Sequence, residues 1–202
     1  MNKPYSESSV QNCEPILNRV RKIFIKPGSV IEIGAGTGQH AAYFSAQLKH
    51  LQWWPTDVLT NLDGIEAWRQ HQPLDNLGAA QVLDVTQRKW PLSNMDYAFS
   101  ANTAHIMSTE EVKCMFAGLA KVLNNFALFC LYGPFNYNGK YTSISNQQFN
   151  QMLKTRDPNS GIKDIADIKQ FAETKNLHLI NDFQMPVNNR LLVFRKQAGE
   201  PN

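Results

Sequence analysis

The chain has no cluster of like charges, few cysteines and no apolar run long enough to span a membrane, and each absence excludes a class of protein. Charged residues make up 18% of its 202 residues, the net charge is +3, and no block of Lys or Arg exceeds two residues. This mild basicity lacks the footprint of a nucleic-acid-binding protein. The cysteines are odd in number and scattered, which predicts a reducing compartment without a disulfide framework. Because no segment resembles a signal peptide or is long enough to span a membrane, we expect a cytoplasmic protein without a membrane partner.

Two catalytic signatures are also absent. The chain has no G-x-S-x-G nucleophile elbow, which disfavours a hydrolase. The five histidines, at positions 40, 50, 71, 105 and 178, are dispersed, and none pairs with cysteine at zinc spacing. We therefore predict no metal site.

What the chain does contain is a regular alternation of short apolar runs and amphipathic segments. At 202 residues with 43% hydrophobic content, it suits one α/β domain with a substantial core. The alternation favours a parallel sheet, and the continuous apolar run 126–132 is typical of a strand buried on both faces. Predicted strands lie at 30–33, 51–57, 78–85, in 95–107 with its exit loop, and at 126–132, 177–184 and 190–196; predicted helices lie at 14–24, 39–48, 62–70, 109–123 and 164–174.

The central feature is a glycine-rich loop between the first predicted strand and the helix that follows it. Gly34, Gly36 and Gly38 stand at alternate positions directly after the β-branched run. Glycine lets the backbone turn sharply and leaves no Cβ between the chain and a ligand. A strand, a glycine loop and a helix N-terminus together predict a nucleotide-cofactor site, although a glycine-rich turn of some other α/β protein is the alternative.

The spacing of the glycines discriminates between cofactors. A dinucleotide fingerprint, G-x-G-x-x-G, needs glycine at position 39, where this chain has Gln, so a nicotinamide oxidoreductase is disfavoured. The spacing here is G-x-G-x-G, with Glu32 two residues before the first glycine. That pattern resembles the first motif of class I S-adenosylmethionine-dependent methyltransferases, in which the loop lies against the methionine portion and the ribose of the cofactor.

Acidic residues end the next two predicted strands. Asp57 lies 21 residues beyond Gly36, where a carboxylate can accept hydrogen bonds from both ribose hydroxyls. Its alternative role is to cap the helix that follows. Asp84 ends the third strand. In the methyltransferase pattern this acid reaches the adenine amino group, while the backbone amide of its neighbour, Val85, meets the ring.

Polar residues follow the fourth and fifth strands at the edge where open α/β sheets bind ligands. His105 is the candidate general base because histidine titrates nearest neutrality, although a loop histidine satisfied by backbone groups is the alternative. Tyr132 could orient an acceptor or belong to the core, and Asn102 lies beside His105. The exit sequence Ser-Ala-Asn-Thr-Ala-His lacks the Asn-Pro-Pro-Tyr pattern, which counts against methylation of a nucleobase amino group.

A long polar stretch, 136–163, interrupts the alternation after the fifth strand. It contains one short predicted helix, 147–153, and a connection of this length favours a lid or substrate loop. Arg156 could pair with a substrate carboxylate or phosphate, or with a neighbouring aspartate of the chain. Asn12, at the start of the first predicted helix, could face the pocket or could cap that helix. The candidate substrate-binding residues are Asn12, Asn136, Arg156, Asp157, Asn188 and Asn189.

Longer motifs extend over most of the chain. They are Asn12-x-Glu-Pro-Ile-Leu17, Glu-Ile-Gly-Ala-Gly-Thr-Gly-Gln-His40, Trp-x-Pro-Thr-Asp57, Tyr-Gly-Pro-Phe135, Ser-Asn146, Arg-Asp-Pro158, Gly-Ile-Lys-Asp164 and Met-Pro-x-Asn-Asn189. Together, from about residue 8 to 196, they resemble the class I methyltransferase-like family that includes methyltransferase-like protein 26. The chain departs from that pattern at Gln11 and Cys13, where basic residues are usual, and at Lys163, where Arg is usual.

Length and composition predict one domain over residues 1–202, with the terminal residues 1–9 and 197–202 expected to be mobile. Its fold would be α/β, a single doubly wound, mostly parallel, Rossmann-like sheet of seven strands with an antiparallel closing strand. S-adenosylmethionine is the implied cofactor, and S-adenosylhomocysteine is its product. The implied cofactor-binding residues are Glu32, Gly34, Ala35, Gly36, Gly38, His40, Asp57, Val58, Asp84, Val85 and Asn102.

Two classes of function follow from these patterns. The favoured one is a methyltransferase that acts on a small-molecule or protein acceptor, which the sequence does not identify. The alternative is a protein that binds the cofactor without catalysis, as a sensor or partner subunit. Because the sulfonium cofactor is already an activated methyl donor, the protein mainly aligns a nucleophile, and it needs a general base only for a protonated acceptor.

Overall fold

Helices and strands alternate along the chain. The structure, a computed structural model, describes residues 3–198; of the ends expected to be mobile, residues 1, 2 and 199–202 lie outside this range. The elements in chain order are α1 (Glu7–Ile23), β1 (Gly28–Ile33), α2 (Gln39–Gln47), β2 (Leu51–Asp57), α3 (Leu62–His71), β3 (Gln81–Val82), β4 (Met95–Ala101), α4 (Thr109–Val122), β5 (Leu123–Gly133), α5 (Ile144–Arg156), α6 (Ile165–Glu173), β6 (Leu177–Gln184) and β7 (Arg190–Lys196).

The strands form one sheet of seven in the order β3-β2-β1-β4-β5-β7-β6. All pairings from β3 to β5 are parallel, whereas β7 runs antiparallel to both β5 and β6. The predicted α/β sheet, mostly parallel with an antiparallel closing strand, is therefore confirmed. The strand order reverses between β1 and β4, and a crevice at such a switch point is where open α/β sheets bind ligands.

Each face of the sheet carries its own hydrophobic core. On β5, Phe129 and Leu131 point into the core under α4 and α6, while Cys130 and Tyr132 point into the core under α1 and α2. Successive side chains of a strand alternate between faces, so a strand covered on both sides must be apolar throughout. This is why β5 could be recognised as a continuous apolar run.

The first helix is longer than the sequence predicts. It begins at Glu7 rather than at residue 14, because the Ser6 side chain caps it by accepting a hydrogen bond from the N–H of Ser9. The preceding residues also pack on the domain. The indole of Trp68 donates to the carbonyl of Pro4 over 2.8 Å, and the Ser6 N–H donates to the Gln39 side chain over 2.6 Å.

Two further predicted boundaries are wrong. The third strand is predicted over 78–85, but its regular pairing with β2 covers only Gln81–Val82, and the Ala80 N–H donates to the Glu66 side chain over 2.7 Å rather than to β2. The helix predicted at 147–153 extends over Ile144–Arg156 as α5, capped by the Ser143 side chain. Among residues 3–198, no helix has both the length and the apolar character needed to cross a membrane.

Candidate functional site

The glycine loop after β1 has a left-handed backbone at all three glycines, with φ of 69° at Gly34, 58° at Gly36 and 85° at Gly38. A Cβ at Gly34 would lie 2.5 Å from the Thr103 Cγ2, and one at Gly38 would lie 2.8 Å from the Ile65 Cα. A Cβ at Gly36 would meet nothing within 4 Å. Two of the glycines therefore permit close packing, whereas Gly36 faces open space.

That space is a cavity of about 390 Å³ at the carboxyl ends of β1, β2 and β4, which we call the first cavity. Its volume lies within the range of about 300–1,000 Å³ typical of small-molecule sites. Nine of the eleven predicted cofactor-binding residues line it, and only Glu32 and Gly38 do not. These nine are Gly34, Ala35, Gly36, His40, Asp57, Val58, Asp84, Val85 and Asn102.

Asp57 ties the glycine loop to the end of β2. Its Oδ2 accepts a hydrogen bond from the Gly36 N–H over 2.6 Å, and its Oδ1 accepts from the Val58 N–H and the Asn61 side chain over 2.7 and 2.9 Å. Asn61, rather than Asp57, stands at the N-cap position of α3. A carboxylate offers about four lone-pair sites, so Asp57 keeps one acceptor position for a hydroxyl in the first cavity.

The rim of the first cavity beyond β3 combines free polar groups with apolar side chains. The Asp84 Oδ1 accepts from the backbone and hydroxyl of Thr86, and these hydrogen bonds lower the pKa of Asp84. Within residues 3–198, the Asp84 Oδ2 and the Val85 N–H form no hydrogen bond. Leu83 and Ile106 line the same rim, so a flat ring with an exocyclic amino group fits its chemistry.

Glu32 lies beneath the loop rather than in the cavity. It shares the strand face of Val30, is 1% exposed, and accepts a hydrogen bond from the indole of Trp53 over 2.6 Å. Burial raises the pKa of Glu32 to about 8, against the effect of that hydrogen bond. Glu32 is therefore a buried support of β1 and β2 in this structure.

Several residues that line the first cavity were not predicted from the sequence. The start of α1 contributes Ser6, Ser8 and Ser9, which fall within the segment expected to be mobile. The serine-rich segment is typical of a helix N-cap and could have indicated the start of α1. The apolar periodicity begins only at residue 15, however, so it predicts a helix that starts too late in the chain. The remaining missed residues are Ile33, Thr37, Asn61, Leu83, Ala101, Thr103, Ile106, Met107 and Glu111.

A second cavity, of about 320 Å³, adjoins the first and shares Ser8 and Asn102 with it. Asn102 adopts a left-handed φ of 59°, an uncommon conformation that often marks functional positions. The other residues that line the second cavity are His105, Pro134, Ser145, Asn146, Phe149, Val187 and Asn189.

His105 lies in the wall of the second cavity. Its ring packs edge-to-face on Phe149, with centroids 5.0 Å apart. Its carbonyl accepts a hydrogen bond from Gly161, but its ring nitrogens form no hydrogen bond with any residue of the described range 3–198. Burial, and then the charge of Lys163, lower the pKa of His105 to about 4, so its imidazole is neutral at pH 7. Among the described residues the ring therefore has no hydrogen-bond partner, unlike a loop histidine satisfied by backbone groups.

Hydrogen-bonded polar side chains connect the two cavities behind their walls, running from His40 through Asn12 and Tyr132 to Asn189. The His40 Nε2 and the Asn12 Oδ1 are 2.6 Å apart, and the Asn189 side chain donates to the Tyr132 hydroxyl over 3.0 Å. Burial raises the pKa of Tyr132, against side-chain hydrogen bonds from Asn189 and Asn12. Asn12 is therefore a buried member of this network within α1 and not a helix cap, and Tyr132 has its ring in the core and its hydroxyl in the network.

The other predicted substrate residues are not brought to either cavity. Arg156 and Asp157 are exposed at the end of α5, where Asp157 accepts a hydrogen bond from the backbone of Asn159. Asn136 pairs through its backbone with residues 163 and 165, and it lines neither cavity. Asn188 reaches the second cavity only indirectly, since its carbonyl accepts from the Asn146 side chain over 3.3 Å.

Comparison with known proteins identifies both the family and the fold. The family model described as "Protein of unknown function (DUF938)" matches residues 3–196. An O-methyltransferase family protein from Burkholderia thailandensis superposes with a TM-score of 0.81 at 14% identity, over 96% of this chain and 59% of that chain. The S-adenosylmethionine-dependent methyltransferase SibL superposes with a TM-score of 0.79 at 13% identity, over 94% and 56%.

A third similar structure is human N-acetylserotonin methyltransferase in complex with S-adenosylmethionine, with a TM-score of 0.78 at 12% identity, over 95% of this chain and 53% of that chain. This chain thus spans less than two thirds of the length of the three structures. The likeness shows that the fold is the Rossmann-like α/β fold of class I methyltransferases.

Proposed function

The chain belongs to the DUF938 family of proteins of unknown function, and from this premise and its fold we propose that it is an S-adenosylmethionine-dependent methyltransferase. The observation that carries the proposal is the first cavity, where the end of β2, the glycine loop and the residues after β3 and β4 converge. The longer motifs support membership of the narrower group that includes methyltransferase-like protein 26.

The residues of the first cavity fit this cofactor. The open space above Gly36 admits a ligand against the backbone, and the remaining acceptor position of Asp57 suits a ribose hydroxyl. The free Asp84 Oδ2 suits an exocyclic amino group, and the Val85 N–H suits a ring nitrogen. S-adenosylmethionine contains no pyrophosphate, so the loop does not need a cluster of backbone N–H groups to bind one.

When bound, S-adenosylmethionine supplies a methyl group activated by its sulfonium. The residues of the second cavity then position the acceptor, and alignment of two bound reactants is the largest contribution they can make. His105 accepts a hydrogen bond from a hydroxyl or amine of the acceptor through its neutral imidazole, whose pKa of about 4 makes it a weak base for removing the proton at pH 7. Asn189 lines the second cavity and orients the acceptor, and its bond to the buried Tyr132 hydroxyl holds the Asn189 side chain in place.

The test is turnover. We would incubate the protein with S-adenosylmethionine carrying a radioactive methyl group, together with either the small-molecule or the protein fraction of a cell extract. Incorporation of label into one fraction, and its loss in Asp57→Ala, supports the proposal. Cofactor binding without incorporation into either fraction would favour the non-catalytic alternative, a sensor or partner subunit.

A further inference from the structure

The second cavity differs from the first in the charge of the residues that line it. Among the described residues, no Asp, Glu, Lys or Arg lines it, whereas Asp57, Asp84 and Glu111 line the first cavity. Lys163, whose charge acts on His105, does not line the cavity, and its ammonium group donates to the carbonyls of Met107 and Gly161 over 2.7 and 2.9 Å. An ionic ligand would therefore lose its hydration without gaining a counter-charge.

Two polar groups of the wall are hydrogen-bond acceptors that meet no donor among the described residues. The Asn146 side chain uses its NH₂ group on Thr142 and on the Asn188 carbonyl, over 2.8 and 3.3 Å. Asn189 uses its NH₂ group on Tyr132. Within residues 3–198, the carboxamide oxygens of Asn146 and Asn189 accept no hydrogen bond, and the neutral ring of His105 adds one acceptor nitrogen and one N–H donor. A ligand that donates N–H or O–H groups satisfies the two carboxamide oxygens.

The rest of the wall is apolar and includes one aromatic ring. Phe149, Pro134 and Val187 surround the polar groups, and Phe149 is only partly buried, so part of its ring faces the cavity. Its edge-to-face contact with His105 holds it in place. A planar ring in a ligand gains from offset stacking on such a side chain beyond the burial of its area. With about 320 Å³, the cavity accepts a molecule of one or two rings.

We infer that the second cavity binds an uncharged small molecule that carries a flat ring and hydrogen-bond donors, and that this molecule is the methyl acceptor. The inference rests on the proposed function, because the neighbouring first cavity must hold the methyl donor. The size and lining of the second cavity thus favour a small molecule, rather than a protein, as the methyl acceptor. Phe149, Asn146 and Asn189 are the specificity-determining residues.

The experiment uses the full chain saturated with S-adenosylhomocysteine and measures ligand binding by NMR titration. The probes are benzamide, its donor-free analogue N,N-dimethylbenzamide, the anion benzoate and the cation formed by benzylamine. We expect benzamide to bind about tenfold more tightly than each of the other three. Phe149→Ala should weaken benzamide binding by about tenfold, while Met152→Ala, an exposed change on the same helix, should leave it unchanged.

The outcomes separate this inference from the proposed function. If S-adenosylhomocysteine itself does not bind, the proposed function fails and the inference fails with it. If S-adenosylhomocysteine binds but benzoate or benzylamine binds as tightly as benzamide, the inference is overturned and the cofactor assignment stands. Normal binding of benzamide by Phe149→Ala would overturn the inference in the same way. Normal binding of S-adenosylhomocysteine by Phe149→Ala shows that the variant is folded.

Discussion

The Asp57 carboxylate accepts a hydrogen bond from the Gly36 N–H over 2.6 Å, between residues 21 positions apart in the chain. This bond fastens the glycine loop to the end of the neighbouring strand and fixes the distance between two walls of the first cavity. It gives the acid at the end of β2 a structural role in addition to any contact with a ligand. Asp57 is thus both a support of the loop and a candidate ligand for the ribose.

Asp57→Ala should weaken the binding of S-adenosylmethionine by roughly 1–3 kcal/mol, because the ribose hydroxyls lose a charged acceptor and the loop loses its attachment. Calorimetric titration measures the change. Asp63→Ala, an exposed acid in the first turn of α3, is the matched control and should bind normally. An unchanged affinity in Asp57→Ala would remove Asp57 from the cofactor site.

Gly36→Ala should impair cofactor binding more than it impairs folding. Its Cβ would project into the first cavity without touching the protein, at the cost of about 1–2 kcal/mol for an alanine at positive φ. Gly139→Ala is the matched control, because Gly139 has a φ of 72° and equally open surroundings away from both cavities. Comparable unfolding curves with lost binding only in Gly36→Ala are expected. Equal binding by the two variants would contradict contact between the loop and the cofactor.

Glu32→Gln should change how stability depends on pH. Burial raises the pKa of Glu32 to about 8 from 4.5, so the folded protein keeps a proton that the unfolded chain releases. The resulting stabilisation is complete below about pH 4.5 and is lost as pH rises through about 8, by at most about 1.4 kcal/mol per pH unit. Glutamine keeps an acceptor for the indole of Trp53 without this titration.

Urea unfolding of both proteins at several pH values between about 5 and 8 measures this difference. The free energy of unfolding of the unaltered protein should fall relative to that of Glu32→Gln as pH rises. The lowered pKa values of His40 and His105, both about 4, act in the opposite direction, with stability lost as pH falls below 6.5. Both proteins share that effect, so it cancels in the difference. Parallel curves would show that Glu32 is ionised in the folded protein.

Asn12→Ala should destabilise the fold by about 1–3 kcal/mol, because it leaves the buried His40 Nε2 without its partner at 2.6 Å. Asn18→Ala is the matched control on the same helix, since Asn18 is exposed and bonds only to Glu14. Denaturant unfolding of the two variants gives the comparison. If the two lose the same amount of stability, the network between the cavities is not structural.

The sheet and the first cavity could be predicted because their signals are local in sequence. Buried strands read as apolar runs, and the ends of parallel strands meet at one edge, so Gly36, Asp57, Asp84 and Asn102 could be brought together without coordinates. The position of the Glu32 side chain could also be predicted from the sequence. Strand alternation places its side chain on the face of Val30, beneath the loop, whereas the resemblance to a motif places it at the cofactor.

The second cavity could not be predicted, because contacts distant in sequence create it. Asn146 is buried by the loop before β7, 42 residues further along the chain, and α5 has too weak an apolar stripe to indicate which of its faces is covered. Arg156 and Asp157 are predicted instead because charged residues in a polar loop resemble binding residues. Pro158 indicates the end of α5 after Arg156, but the exposure of both side chains depends on which elements pack nearby, and the sequence does not show this.

Calorimetric titration of the protein with S-adenosylmethionine and S-adenosylhomocysteine, with NADH as the comparison, shows whether the first cavity binds the proposed cofactor. We expect both sulfur compounds to bind with micromolar affinity, a favourable free energy of about 8 kcal/mol, and NADH not to bind. Failure of both sulfur compounds to bind would contradict the claim, since the first cavity would then be a feature of the fold without its cofactor.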